Sequence, residues 1–199
     1  MILLAAAVEA ELRFWRPREE VATLVTGVGP IEAACALAAA LTSSRYRLVV
    51  NAGLAGTFDG AARIGDGVVV GDETIELNLE SGAPLTLPAG VKLIDSASSA
   101  APLVARLHGK GFPVLRGVTV ARVTSSEATA RRLAGELGAQ VESMEGFAAL
   151  RAAALAGVPA IELRGISNRC GDRERSGWNF TAGLAGLERI VNAFFESQP

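Results

Sequence analysis

Two side-chain types that commonly carry chemistry are nearly missing from this sequence. Cysteine occurs only at 35 and 170, with no CxxC spacing, and His108 is the single histidine. That pattern excludes a dedicated zinc site, and it leaves acid–base chemistry to other groups, because His108 reads as a surface residue at a helix end. Cys35 lies in an Ala-rich helical run and is expected to be a small core residue, and Cys170 is also expected to pack. Aromatics make up 5% of a chain that is half hydrophobic; the remainder is largely Ala, Val and Leu, the mixture of an α/β protein with close helix–sheet packing. No single sign of charge dominates. The 19 Lys plus Arg face 21 Asp plus Glu, a formal net charge of −2, so no global positive field draws the chain to nucleic acid or to an anionic membrane. Long apolar runs are absent too: residues 33–41 fall far short of the roughly 20 a transmembrane helix needs. The apolar start has no basic leader and runs directly into Glu9, Glu11 and Arg13, so it reads as a first strand and a cytoplasmic location is expected.

The 199 residues suit one domain spanning 1–199. Short β-branched runs alternate with helical patterns: strands are expected at 2–8, 21–26, 48–51, 67–70, 114–123, 140–143 and 160–166, helices at 31–42, 98–110, 127–137, 145–156 and 183–196. This is an α/β order, with no repeat and no low-complexity linker. In open α/β sheets ligands bind at the carboxyl ends of the strands, so the expected loops at 8–12, 27–30, 51–57 and 164–171 and the strand-to-helix junction at 142–146 are where a site belongs.

Each of those segments carries candidates. Gly27-Val28-Gly29-Pro30 precedes a helix with proline in its first turn; it offers free amides to a polar ligand or makes a plain tight turn. Gly53 and Gly56, with Ala55 between them, let backbone approach a ligand or a neighbouring strand. Glu9 and Glu11 share one face of an extended segment after an apolar strand; a desolvated Glu11 would have a raised pKa and could act as a base or orient water, whereas solvated acids at a helix start are the plain alternative. Within Val141-Glu142-Ser143-Met144-Glu145-Gly146, a carboxylate matches the vicinal hydroxyls of a ribose and Met144 could cover its apolar face, or the acid simply sits at a helix N-terminus. In Arg164-Gly165-Ile166-Ser167-Asn168, the amide can donate to a purine N7 or O6 or close a local turn, and Arg164 could form a buried ion pair with a glutamate. Trp178 and Phe180 pack over the ligand or in the core, with core the favoured reading.

Taken in order, Thr26–Pro30, Asn51–Gly56, Ile64–Asp72, Val141–Gly146 and Arg164–Asn168 resemble the nucleoside phosphorylase and nucleosidase superfamily over almost the whole chain. Ser143-Met144-Glu145-Gly146 and the run from Ile166 to Asn179 are most similar to the futalosine hydrolases, which release hypoxanthine from futalosine in menaquinone biosynthesis. The resemblance implies a three-layer α/β/α domain around a mixed, partly closed sheet. It implies that Glu11 and Arg164 position and activate a water, that Glu145 and Met144 hold the ribose, that Asn168 faces the purine, and that the backbone at Gly29, Gly53, Ala55 and Ser167 lines the substrate loops. It implies no cofactor and no metal, a small purine nucleoside and water as partners, no nucleic acid and no membrane, and a homo-oligomer. Two departures bear on substrate. Adenine-releasing nucleosidases carry aspartate at the position of Asn168, and an amide cannot deliver that proton; they also carry serine where this chain has Leu54. Phosphorolysis would need arginines in the early glycine loops, and there are none. The rival readings are a methylthioadenosine/S-adenosylhomocysteine nucleosidase, a purine nucleoside phosphorylase, and a nucleoside-binding module without catalysis. Arg63, Arg122 or a second subunit are the candidates for holding the carboxylate on futalosine's side arm.

Overall fold

Alternation along the first strand already divides the molecule into layers. Leu3 and Ala5 pack with Leu37, Ala149, Leu150 and Ala153, whereas Ile2 and Leu4 pack with Leu107, Leu187, Ile190 and Phe194, because successive side chains in a strand point to opposite faces. A computed structural model describes residues 1–58, 60–77, 85–171 and 177–196. Among these the order is β1 (Ile2–Ala6), a 3-10 turn (Glu9–Leu12), β2 (Val21–Val25), α1 (Pro30–Ser43), β3 (Leu48–Thr57), β4 (Gly67–Ile75), β5 (Ser96–Ser98), α2 (Ala101–Gly109), β6 (Val114–Thr119), α3 (Glu127–Leu137), β7 (Val141–Ser143), α4 (Gly146–Leu155), β8 (Ala160–Arg169) and α5 (Phe180–Phe195). Helices α1 and α4 cover one face of the sheet, α2 and α5 the other. No helix among the described residues is long and apolar enough to cross a membrane.

The sheet is mixed and closes on itself. β1 lies parallel between β2 and β3. β3 pairs with β8 in parallel and, at its far end, with β7 antiparallel; β8 pairs antiparallel with β4, β4 parallel with β6, and β6 parallel with β7. The circuit β3–β8–β4–β6–β7 is therefore a small barrel, with β1 and β2 extending it at one edge and β5 pairing antiparallel with β4. Register shifts between Ala55 and Gly56 on β3 and between Val70 and Asp72 on β4 supply the local bends that closure requires.

Several expectations are corrected here. Residues 51–57 and 164–169 are not loops but the outer halves of β3 and β8, and Gly53, Gly56 and Gly165 make room there for neighbouring groups. A Cβ on Gly165 would stand 2.0 Å from the Gly183 carbonyl oxygen of α5, and one on Gly53 would stand 2.3 Å from Arg164 Nη1. Residues 96–98 form a strand, so α2 starts later than expected. Glu9 and Glu11 do not share a face, because their segment coils into a 3-10 turn that buries Glu11 and leaves Glu9 exposed. Cys35 is exposed, since the buried side of α1 runs through Ala33 and Leu37 and a step of two residues turns more than half way round a helix.

Candidate active site

Burial of an acid beside an otherwise apolar strand needs compensation, and the turn after β1 supplies it. Glu11 Oε2 accepts from the backbone N–H groups of Ala7 at 3.0 Å and Val8 at 3.3 Å, and Oε1 accepts from Leu54 N–H on β3 at 2.8 Å. Its pKa is nevertheless raised: desolvation outweighs the amide of Leu54 and the charge of Arg164, and Glu145 adds repulsion. Arg164 lies behind Glu11 on β8 and is 1% exposed. Nε donates to Glu162 Oε1 at 2.7 Å, Nη2 to Ser143 Oγ at 3.3 Å and Nη1 to the Leu54 carbonyl at 3.4 Å, while Nη1 stands 3.6 Å from Glu145 Oε2. Burial alone would lower the pKa of Arg164, but Glu162, Glu145 and Glu11 together raise it, so it is permanently charged.

Glu145 is the residue just before α4, and its Oε1 accepts from Gly29 N–H at 3.0 Å. Gly29 has a φ of 98°, a conformation that side chains rarely adopt, so the loop before α1 can present its amide to that carboxylate. At the end of β8, Ser167 Oγ donates to Asn168 Oδ1 at 2.9 Å, and Asn168 Nδ2 donates to the Arg169 carbonyl at 3.1 Å. One N–H of the Asn168 amide group remains for a ligand. Gly56 makes room for it, since a Cβ there would lie 3.0 Å from Nδ2.

These side chains border a cavity of about 370 Å³. Glu11, Leu54, Met144, Glu145, Ser167 and Asn168 line it, together with Glu142, Val123 and Trp178. The lining among the described residues is mostly apolar and contains no Lys or Arg. Glu142 is held by the backbone N–H of Thr124 at 3.0 Å and by the Thr124 hydroxyl, and burial raises its pKa against those bonds.

The structure brings Glu11, Met144, Glu145, Ala55, Ser167 and Asn168 to the cavity wall. Arg164, Gly29 and Gly53 stand behind it: Arg164 is enclosed by its partners, Gly29 binds Glu145, and Gly53 leaves the space that Arg164 occupies. Trp178 and Phe180, read as core, instead line the cavity with ring centroids 5.2 Å apart, and Phe180 is 53% exposed. Arg63 and Arg122 are exposed and do not line it. Residues 172–176 of the motif after Cys170 lie outside the described residues. Sequence reasoning passed over Glu73 and Glu162, both fully buried. Their signal was an acid inside an apolar strand, and for Glu162 an arginine two residues on, which a strand places on the same face.

A barrel-closed mixed sheet with carboxylates, an amide and an apolar cavity at its rim is the architecture of a class, and the sequence profile described as "Phosphorylase superfamily" matches residues 9–196. The futalosine hydrolase of Thermus thermophilus is 35% identical over 175 residues, covering 84% of this chain and 78% of that protein. The futalosine hydrolase of Streptomyces coelicolor is 36% identical over 188 residues, covering 84% and 75%. Among solved structures, the 5'-methylthioadenosine/S-adenosylhomocysteine nucleosidase from Helicobacter pylori with butyl-thio-DADMe-Immucillin-A superposes with a TM-score of 0.83 at 14% identity, covering 99% and 98% of the two chains. The native futalosine hydrolase of Helicobacter pylori superposes with a TM-score of 0.81, also at 14% identity, covering 99% and 97%. The chain belongs to the phosphorylase superfamily and, within it, to the family of the futalosine hydrolases.

Proposed function

We propose that this chain hydrolyses the N-glycosidic bond of futalosine and releases hypoxanthine. The observation that carries the reading is that Glu11, Glu145 and Asn168 line one mostly apolar cavity with no cationic side chain among its described lining residues. Water adds to the anomeric carbon while the bond to the purine breaks with its electron pair. Glu11, whose pKa is raised by burial, orients that water and takes its proton. Glu145 accepts from the ribose hydroxyls and Met144 covers the sugar. The ribose carbon gains oxocarbenium-like positive charge, which the two carboxylates favour, and the departing base gains negative charge, which the Asn168 N–H meets. Asn168 supplies a hydrogen bond and no proton, so the base takes its proton from solvent. Arg164, enclosed at 1% exposure, holds Leu54 and Glu145 in place and acts on the water through them. A phosphate co-substrate would require basic groups at the ribose, so the described lining favours hydrolysis.

The same reading extends to a single domain over residues 1–199, a cytoplasmic enzyme of menaquinone biosynthesis, and a homo-oligomer. The test is incubation of the purified protein without phosphate, separately with futalosine, inosine, methylthioadenosine and S-adenosylhomocysteine, with released base separated by chromatography. Hypoxanthine from futalosine alone is the expected result. Adenine from the thio-nucleosides would overturn the assignment of Asn168, and release only after phosphate addition would make the chain a phosphorylase.

A further inference from the structure

Behind the cavity wall lie two carboxyl groups for which the proposed reaction has no use. Glu73 on β4 and Glu162 on β8 have no exposure to solvent, and each leaves Oε2 without a hydrogen-bond partner among the described residues. Glu162 Oε1 accepts from Arg164 Nε at 2.7 Å. Glu73 Oε1 accepts from Thr119 Oγ1 at 2.6 Å and Ser143 Oγ at 3.5 Å, and those hydroxyls accept from the first amides of α4, Phe147 at 2.7 Å and Gly146 at 3.2 Å. Two glycines keep the space open. A Cβ on Gly117 would stand 1.6 Å from Glu73 Oε2, and one on Gly146 would stand 2.5 and 2.6 Å from the oxygens of Glu162. Side chains on two further elements would collide with these acids, so the room for them is built into the fold.

Charge balance decides how the acids are held. The groups facing Glu162 are Arg164 on its own strand, Glu73 on β4 and Glu145 before α4; those facing Glu11 are Arg164 and Glu145. One guanidinium cannot neutralise four carboxylates away from water. Burial, then repulsion from Glu162, pushes Glu73 well above the usual carboxylate range. Burial also raises Glu162, but the charge of Arg164 and its hydrogen bond oppose that rise.

We infer that Glu162 is a positioning residue for the proposed hydrolysis: ionised, with Glu73 as the protonated member of the pair, it holds the guanidinium of Arg164 toward Leu54 and Glu145 and screens Glu11 from its full charge. The inference rests on the hydrolase reading for its effect on turnover, and on the buried pair alone for the proton.

Glu162→Gln keeps the volume and an acceptor for Nε while removing the charge. Arg164 then attracts Glu11 more strongly, so the acid limb of the kcat/KM profile for futalosine moves to lower pH, by about one unit. kcat falls by up to about 100-fold as Arg164 loses its orientation, with a smaller change in KM, and Glu162→Asp brings the limb back toward wild type. A folded Glu162→Gln protein whose limb stays in place, with activity lost equally at every pH, overturns the positioning role. Infrared spectroscopy of the wild-type protein at neutral pH tests the pair without turnover or refolding. A carboxylic-acid carbonyl band is expected, absent in Glu73→Gln, and a wild-type spectrum without it overturns the protonated pair. If wild type is inert toward futalosine, the hydrolase reading falls, and the infrared band still decides for or against the pair.

Discussion

At the scale of the residue, the proposed hydrolysis rests on one carboxylate kept less acidic than usual. Glu11 accepts three backbone N–H groups, which alone would hold it ionised, yet desolvation wins and its pKa rises. If the ionised form takes the proton of water, activity is present above that raised pKa and is lost as pH falls through it. The acid limb of kcat/KM is therefore expected above the range of an ordinary glutamate, and Glu11→Gln should remove about 10²–10⁴-fold of turnover while leaving the thermal midpoint close to wild type. Steady-state hypoxanthine release across pH measures both, and a limb in the ordinary carboxylate range would remove Glu11 as the base. Asn168 has its amide oxygen engaged by Ser167 and one N–H engaged by Arg169, so in the proposed reaction it would meet the base as a donor.

At the scale of the element, what the strands leave out matters as much as what they carry. Gly53 on β3 faces Arg164 on β8, and a methyl group there would stand 2.3 Å from Nη1 and 3.1 Å from Glu11 Oε1. Arg164 cannot yield cheaply, because its guanidinium is bound to Glu162, Ser143 and Leu54. Gly53→Ala is expected to lower kcat/KM by about 10²-fold through misplacement of the Arg164–Glu11 pair, far more than its effect on secondary structure; wild-type kinetics would show that the strand can shift. Helix α5 is seated in the same manner. Gly165 and Gly67 let its backbone approach, with Cβ positions 2.0 Å from the Gly183 oxygen and 2.6 Å from the Gly186 oxygen. Gly165→Ala should cost about 1–3 kcal/mol by overpacking, or more where backbone meets backbone, and scanning calorimetry should show Tm lower by roughly 2–4 °C per kcal/mol. An unchanged Tm would mean that α5 is free to slide.

At the scale of the whole molecule, more acids than bases are buried among the described residues, and that sets how stability responds to pH. Glu11, Glu73, Glu142 and Glu162 all have pKa values raised chiefly by burial. A carboxyl raised in the folded state binds its proton more tightly there than in the unfolded chain. Its contribution to stability is complete below the unfolded pKa and is lost as pH rises through the folded one. Stability is thus expected to decline from mildly acidic toward neutral pH, by up to about 1.4 kcal/mol per pH unit for each proton fully linked. Denaturant melts at a series of pH values measure it. Glu73→Gln, which imitates the neutral acid, should flatten the decline, and a profile that rises toward neutral pH in both proteins would contradict the buried-acid account.

The order of strands and helices was legible in the sequence because hydrophobic period and capping are local: residues 127–137 were readable as a helix from their apolar spacing, and the same bounds are observed. The residues at the cavity were legible too, since Glu11, Met144, Glu145 and Asn168 stand at strand ends where an α/β sheet binds ligands. Tertiary structure alone decided the rest. Whether Gly53 makes way for a ligand or for a neighbouring strand depends on β8, more than a hundred positions away, and whether Arg164 meets water or lies behind the wall depends on what packs around it. Trp178 and Phe180 have no local signal that separates core from cavity, and the pairing of Glu73 with Glu162 exists only once β4 and β8 are neighbours in a closed sheet. Local sequence determines which elements form and which chemical groups they carry. The contacts among those groups are set by barrel closure, because burial and electrostatic coupling depend on distances that only the folded chain brings about.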